Sequence, residues 1–220
     1  MIEILVKLIA AYFLGGLMGG DIMRRLLGGA DLRDEGSGNV GATNALRSRG
    51  AGFAIGVLAI DVGKGVLAVL ALPLIPWHWA GASDVPLAWL GYLCGFAATC
   101  GHCFPVLLKF RGGKGVATAT GVFAALLPAA LPWMLIVFAL LVMLTGWVAV
   151  ASIAGSLVAL AYVALVGNGI NSACGLFAAA MGLLIVYKHR SNIANLLAGK
   201  EHRFEKARVL GRMIDQWRGR

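Results

Sequence analysis

Charged side chains are scarce in this chain. Asp, Glu, Lys and Arg make up 13% of its 220 residues, and only 10 are acidic. Soluble domains carry about 25%. With 60% hydrophobic residues, a water-soluble core could not hide the apolar surface, which leaves lipid as the solvent. Cysteine is also sparse. Cys94, Cys100, Cys103 and Cys174 lie in or beside apolar segments, where cysteine behaves as a small hydrophobe. Cys100, His102 and Cys103 are followed by no second Cys/His pair, which argues against a zinc site. No disulfide framework is readable. No internal repeat and no low-complexity segment occurs. Ile2 to Gly20 contains Glu3 and Lys7 and lacks a small-x-small cleavage site, so it reads as a retained span and not as a signal peptide.

Seven apolar segments are present, at about residues 2–20, 51–75, 87–108, 116–127, 133–144, 148–166 and 172–187. A membrane-crossing helix needs about 20 apolar residues, fewer inside a bundle. Gly15, Gly16, Gly19 and Gly20 give the first segment small residues at contact spacing. Trp77 to Pro86 reads as a short loop. The expectation is an all-α integral membrane domain over residues 1–200. A basic tail follows at 201–220, where Phe204, Ala207, Leu210, Met213, Ile214 and Trp217 recur at helical spacing. Such a tail suits an anionic leaflet, and the same residues also suit a solvated basic tail.

The formal charge of +9 raises nucleic acid as a partner, but the positions of the charges argue for a membrane. With the N-terminus outside, every Lys and Arg except Lys7 and Lys64 falls on one side, which marks that side as cytoplasmic. Lys7 and Lys64 lie within spans. The same threading collects three polar islands on the cytoplasmic face.

The first island is GSGNVGATNALRSR, Gly36 to Arg49. Its Gly36-x-Gly38-x-x-Gly41 spacing matches a dinucleotide fingerprint, but a membrane segment on each side excludes the βαβ unit that fingerprint requires. What remains is anion chemistry. Close glycines let backbone N–H groups converge, while Ser37, Asn39, Thr43 and Asn44 add neutral polar groups. Arg47 can grip phosphate bidentately. The second island is GHCFPVLLKFRGGKGVAT, residues 101–118. Gly112-Gly113-Lys114-Gly115 resembles a Walker A loop without being one, because Leu108 and Gly115 break the pattern. Mobile N–H donors beside an ammonium open onto the helix at Val116, whose N-terminus also favours an anion. His102 takes a supporting role there.

The third island is HRSNIANLLAGKE, 189–201. A continuing seventh helix would put His189 and Asn192 on one face at i and i+3, with imidazole as a proton acceptor. A lipid-headgroup cluster fits the same residues. Asp61 and Lys64, one turn apart within a span, read first as a helix-fixing ion pair and second as a site-orienting one.

Together these islands resemble the acyl-phosphate-dependent glycerol-3-phosphate acyltransferase family of bacterial inner membranes, the PlsY type. That family shows GSGNxGATNxxR, GHxFPxFLxFKGGKGVAT and HRxNIxRLxxGxE. The resemblance implies a multi-pass enzyme of the bacterial inner membrane with its active site on the cytoplasmic face. It implies acyl transfer from acyl phosphate to the 1-hydroxyl of sn-glycerol 3-phosphate, yielding lysophosphatidic acid and inorganic phosphate, with no cofactor. An enzyme that makes acyl phosphate is an implied functional partner. By family position, Ser37, Asn39, Arg47 and Lys114, with the backbone at Gly38 and Gly112–Gly113, would bind phosphate. Gly41, Thr43, Asn44 and His102 would line the substrate, while His189 and Asn192 would position the glycerol, with His189 the candidate base.

The chain also departs from the family. Ala149 stands where a serine often follows Thr145, and Ser152, one turn on, is the candidate replacement. Asn195 replaces an arginine, Arg111 a lysine, and Gly16-Leu17-Met18 a Ser-Ile-Pro run. A transporter or scramblase for anionic phosphorylated metabolites is the other class considered. It would call for inverted repeats or a midplane site, neither of which the sequence displays.

Overall fold

The computed structural model describes residues 2–76 and 85–218. The loop expected at Trp77–Pro86 falls mostly outside them. The described residues form helices and no strands, in two compact units, residues 1–126 and 127–220.

The first unit contains α1 (Ile2–Gly15), α2 (Gly19–Leu27), α3 (Ala42–Arg49), α4 (Ala51–Leu70), α5 (Leu87–Cys103) and α6 (Val116–Leu126). The long α4 is its axis, packed by α1, α2, α3, α5 and α6. Reciprocal glycines set the closest approaches. A Cβ on Gly15 would fall on the Ala98 carbonyl of α5, and one on Gly101 would fall on the Tyr12 carbonyl of α1. The α4/α6 pair repeats the device, with Gly65 against Thr118 and Gly121 against Val62. In lipid, where no hydrophobic force pushes helices together, such close packing supplies much of the cohesion.

The first expected span is broken. The helix stops at Gly15, and α2 leaves it at 49°. A break in hydrocarbon exposes backbone groups that must find partners. Here α4 provides them. Lys64 Nζ donates to Leu17 O at 2.7 Å, and Gly19 N–H donates to Asp61 Oδ1 at 3.1 Å. Gly19 also sits against the Val57 carbonyl, so its missing Cβ permits the approach.

The second unit contains α7 (Leu131–Thr145), α8 (Val148–Leu165), α9 (Ala173–Lys188), α10 (Arg190–Leu197) and α11 (Val209–Arg218). Pro132 stands in the first turn of α7, where its missing N–H costs nothing. Gly146, at φ 74°, closes α7 in the left-handed conformation. Ser172 caps α9 by accepting Gly175 N–H at 3.0 Å. Leu135, Ile136, Leu140 and Leu144 remain exposed along α7.

Three helical stretches are long and apolar enough to cross a membrane: Ala51–Leu74, Leu87–Leu108 and Val148–Leu165. The bent pair α1–α2 makes a fourth if it counts as one span, while α6, α7 and α9 are shorter apolar helices. The seventh segment does not continue smoothly. It breaks at His189, which ends α9 and begins α10.

Candidate active site

The first two islands lie in the first unit, and the structure builds each differently. Between α2 and α3 the chain forms a polar loop fastened by Asn44. This residue is buried at 1% exposure. Its Nδ2 donates to Leu32 O and Glu35 O, both at 2.9 Å, and its Oδ1 accepts Ser37 N–H at 2.9 Å. Asn44 therefore serves the loop through all three amide hydrogen bonds. The result is an exposed tip, Gly36-Ser37-Gly38, with both glycines at positive φ. A side chain at either position would strain the turn. Asn39, Gly41, Thr43 and Arg47 lie half-buried beyond the tip, with Gly41 capping α3 and Arg47 in its last turn.

Arg33, which the sequence reading passed over, clamps this loop. Its Nη1 and Nη2 donate to the two carboxylate oxygens of Asp21 at 2.7 and 3.0 Å, and Nη1 also reaches Asp31 at 3.1 Å. Its Nε donates to Arg111 O at 3.2 Å. That last bond ties the segment leading into the first island to the second island. Partial burial pushes the Asp31 carboxyl up, but the Arg33 N–H and guanidinium, with Arg24, outweigh it and hold Asp31 below its ordinary value. The Asp21 hydrogen bond holds Arg33 above its own. Arg49 adds a second tie, donating to Gly28 O at 2.8 Å while its guanidinium lies 5.1 Å from the Phe53 ring centroid.

The second island is a loop carried at the end of α5. The Tyr12 hydroxyl donates to Phe104 O and accepts Val106 N–H. Lys109 and Phe110 both take positive φ, 52° and 61°, and turn the chain back toward α5. Gly113 N–H donates to His102 O at 3.0 Å. A Cβ on Gly113 would fall on the His102 imidazole, and one on Gly112 on the His102 carbonyl. Only glycine allows this loop to lie on the end of α5. Lys114 is half-buried beside it, and Gly115 at φ 81° leads into α6.

Beneath the loop His102 is buried and engaged. Lys64 Nζ lies 2.8 Å from its Nδ1 and 2.8 Å from Asp61 Oδ1. With Leu17 O, those contacts use the three ammonium donors of Lys64. The expected Asp61–Lys64 pair therefore exists and has a third member. His102 is seated as a support of the loop.

The third island lies in the second unit. His189 is buried, and its Nδ1 is 2.8 Å from Ile185 O. A carbonyl only accepts, so Nδ1 bears the proton and a neutral ring keeps its lone pair on Nε2. Asn192 Nδ2 donates to Glu201 Oε1 at 2.8 Å, which assigns the last residue of the motif a role in holding the amide. Ser152 is buried in the second turn of α8, and Ala149 is buried nearby.

Comparison with known proteins identifies the pattern. A family model described as glycerol-3-phosphate acyltransferase matches residues 5–199. Glycerol-3-phosphate acyltransferase from Syntrophotalea carbinolica is 39% identical over 208 residues, covering 93% of this chain and 100% of the relative. That from Aquifex aeolicus is 38% identical, covering 91% and 98%. Among solved structures, crystal structures of PlsY (YgiH), an integral membrane glycerol 3-phosphate acyltransferase, superpose well. Its glycerol 3-phosphate form gives a TM-score of 0.78 and its lysophosphatidic acid form 0.77. Each has 34% identity and covers 94% of this chain and 98% of that one. With the glycine-tipped loop, the loop bearing Lys114 and the His189–Asn192 motif all within the matched stretch, the chain belongs to the glycerol-3-phosphate acyltransferase family.

Proposed function

We propose that this protein transfers a fatty acyl group from acyl phosphate to the 1-hydroxyl of sn-glycerol 3-phosphate. The products are lysophosphatidic acid and inorganic phosphate. The observation that supports this reading is the Arg33–Arg111 hydrogen bond. It fastens the segment leading into the Gly36–Gly38 tip to the residue that precedes Gly112, Gly113 and Lys114, and so holds the bases of two loops suited to anions to each other. Both substrates bear phosphate, and a site for them needs two anion subsites close together.

In this reading Lys114, Arg47, Ser37 and Asn39 hold phosphate oxygens by charge and hydrogen bonding, assisted by backbone donors at Gly38, Gly112 and Gly113. Thr43 and Gly41 shape the same subsite. His189 accepts the glycerol hydroxyl proton through Nε2, and Asn192 orients the acceptor. The new bond joins glycerol O1 to the acyl carbon, while the carbon–oxygen bond to phosphate breaks and phosphate departs with its electron pair. Phosphate is a good leaving group, so positioning and electrostatic stabilisation supply most of the rate. No acyl-enzyme is required. Ser152, one turn on from Ala149, is the candidate to supply the hydroxyl that Ala149 lacks.

The same proposal includes seven spans in the bacterial inner membrane, the N-terminus outside, the C-terminus in the cytoplasm and catalysis at the cytoplasmic face. The distribution of Lys and Arg supports it. The acyl chain would stay in lipid while its phosphate reaches the polar loops.

The test is phosphate release by purified protein in lipid vesicles, given palmitoyl phosphate and glycerol 3-phosphate, with palmitoyl-CoA as donor in a parallel assay. Release that depends on glycerol 3-phosphate, matched by lysophosphatidic acid and absent with the CoA donor, is expected. No release from folded protein overturns the proposal, and activity with CoA overturns the donor assignment.

A further inference from the structure

The tail beyond residue 199 lies outside the stretch matched by the family model. Specific contacts within the second unit nevertheless place it. Phe204 N–H donates to Gly146 O at 2.8 Å. The Arg203 guanidinium lies 4.6 Å from the Trp147 ring centroid. Arg208 pairs with Asp215 at 2.7 Å. A Cβ on Gly211 would fall on Leu144 O, so α11 crosses the C-terminal end of α7 at backbone contact.

That docking uses one narrow side of α11. At 100° per residue, Val209, Met213, Trp217, Leu210 and Ile214 occupy one continuous arc, and Gly211 lies outside it. Val209, Met213 and Ile214 are exposed, and Trp217 is exposed at 84%. Arg212 and Arg218 are also exposed, beyond the two edges of the arc.

Two features identify what covers this face. The first is continuity. α11 sits at the end of α7, whose Leu135, Ile136, Leu140 and Leu144 are exposed along the helix. An apolar arc there extends a lipid-facing surface. The second is charge. Between residues 127 and 187 the second unit has no charged side chain, whereas residues 188–218 hold eight Lys or Arg against Glu201, Glu205 and Asp215. The positive charge therefore gathers at the end where α7 and α9 finish and α8 begins. An apolar arc flanked by arginines suits the boundary between acyl chains and anionic headgroups.

We propose that α11 is an interfacial helix that docks on an anionic leaflet. Met213, Ile214 and Trp217 enter the acyl boundary, while Arg212 and Arg218 meet lipid phosphates. Its attachment to the end of α7 keeps it at high effective concentration near the surface, so a ten-residue helix suffices.

Amide exchange of residues 209–218 in the full chain tests this without reference to catalysis. The protein is placed, one copy per nanodisc, in phosphatidylcholine alone or with phosphatidylglycerol. Exchange should slow at least about fivefold with the anionic lipid, the effect of roughly one arginine near such a surface, and should recover at high salt. The variant M213S/W217S should exchange in anionic discs at the rate seen in phosphatidylcholine. Equal exchange of the unmodified chain in both lipids overturns the proposal. Protection that follows the number of protein copies per disc, and not lipid charge, overturns it in favour of a second copy.

Discussion

The Lys64 ammonium donates to the Nδ1 of His102 at 2.8 Å, linking the middle of α4 to the end of α5 beneath the Gly113 loop. It also neutralises Asp61 and occupies the Leu17 carbonyl at the α1–α2 break. Replacing Lys64 by Met would leave a buried carboxylate without its cation. We expect a loss of about 3–5 kcal/mol, as for other broken buried pairs. Thermal unfolding in detergent would measure it. The double variant D61N/K64M should regain part of that loss. If the double variant is no more stable than K64M, the uncompensated Asp61 charge is not the cause.

Lys114 carries the ammonium beside the Gly112–Gly113 backbone of the second island. Lys114→Ala should lower kcat/KM by about two to three orders of magnitude, the usual effect of removing one preorganised donor. Membrane insertion and the unfolding temperature should stay unchanged. Activity within a few-fold of the parent would remove Lys114 from the site.

His189 is the proposed base. His189→Ala should reduce kcat by about two to four orders of magnitude, the range for a positioned acid or base. The KM for glycerol 3-phosphate should change little. A variant with normal kcat and a raised KM would make His189 a binder and not a base.

Asp31 gives the first loop a pH dependence of defined sign. Its carboxyl is held low in the folded protein, and an unfolded Asp titrates near about 3.9. The stabilisation is therefore fully present above that value and is lost as pH falls through the lower folded one. Amide exchange across residues 28–41 should be constant, after correction for intrinsic rate, from neutral pH to about 4.5, and should rise below about 4. Asp31→Asn should remove that step. An unchanged profile in the variant would assign the step to another carboxylate.

Much of this arrangement is readable from residue order. The apolar runs mark the longer helices, and the second long motif falls on the loop between α5 and α6. The expected polar loop at 21–50, in contrast, also contains α2 and α3, the latter formed by the second half of the first motif. Other parts depend on groups far apart in the chain. Asp31-Leu32-Arg33-Asp34-Glu35 reads as an ordinary polar stretch, because nothing local indicates that Arg33 spans Asp21 and the Arg111 carbonyl. Gly15, Gly16, Gly19 and Gly20 read as packing residues. They are that, but they also permit a break whose backbone groups are satisfied from α4. Asn44 sits within a phosphate-like motif, yet its amide is committed to the loop backbone. The break at His189 is likewise hidden, since Lys188 to Leu197 contains neither glycine nor proline.

The charge-free stretch between Lys114 and Lys188 bears on how the chain enters the membrane during synthesis. Positive side chains near helix ends orient membrane helices, and α7 and α8 have none of their own. In the proposed topology, their direction as they emerge from the ribosome is inherited from the basic loops upstream, of which Lys109–Lys114 is the nearest. The basic segment from Lys188 onward follows α9 and can secure that direction only after α9 has been made. A nascent chain stopped at Tyr187 would hold its last three helices by an upstream signal alone. In the proposed topology the tail would therefore act as a late latch on orientation, besides the surface role proposed for it.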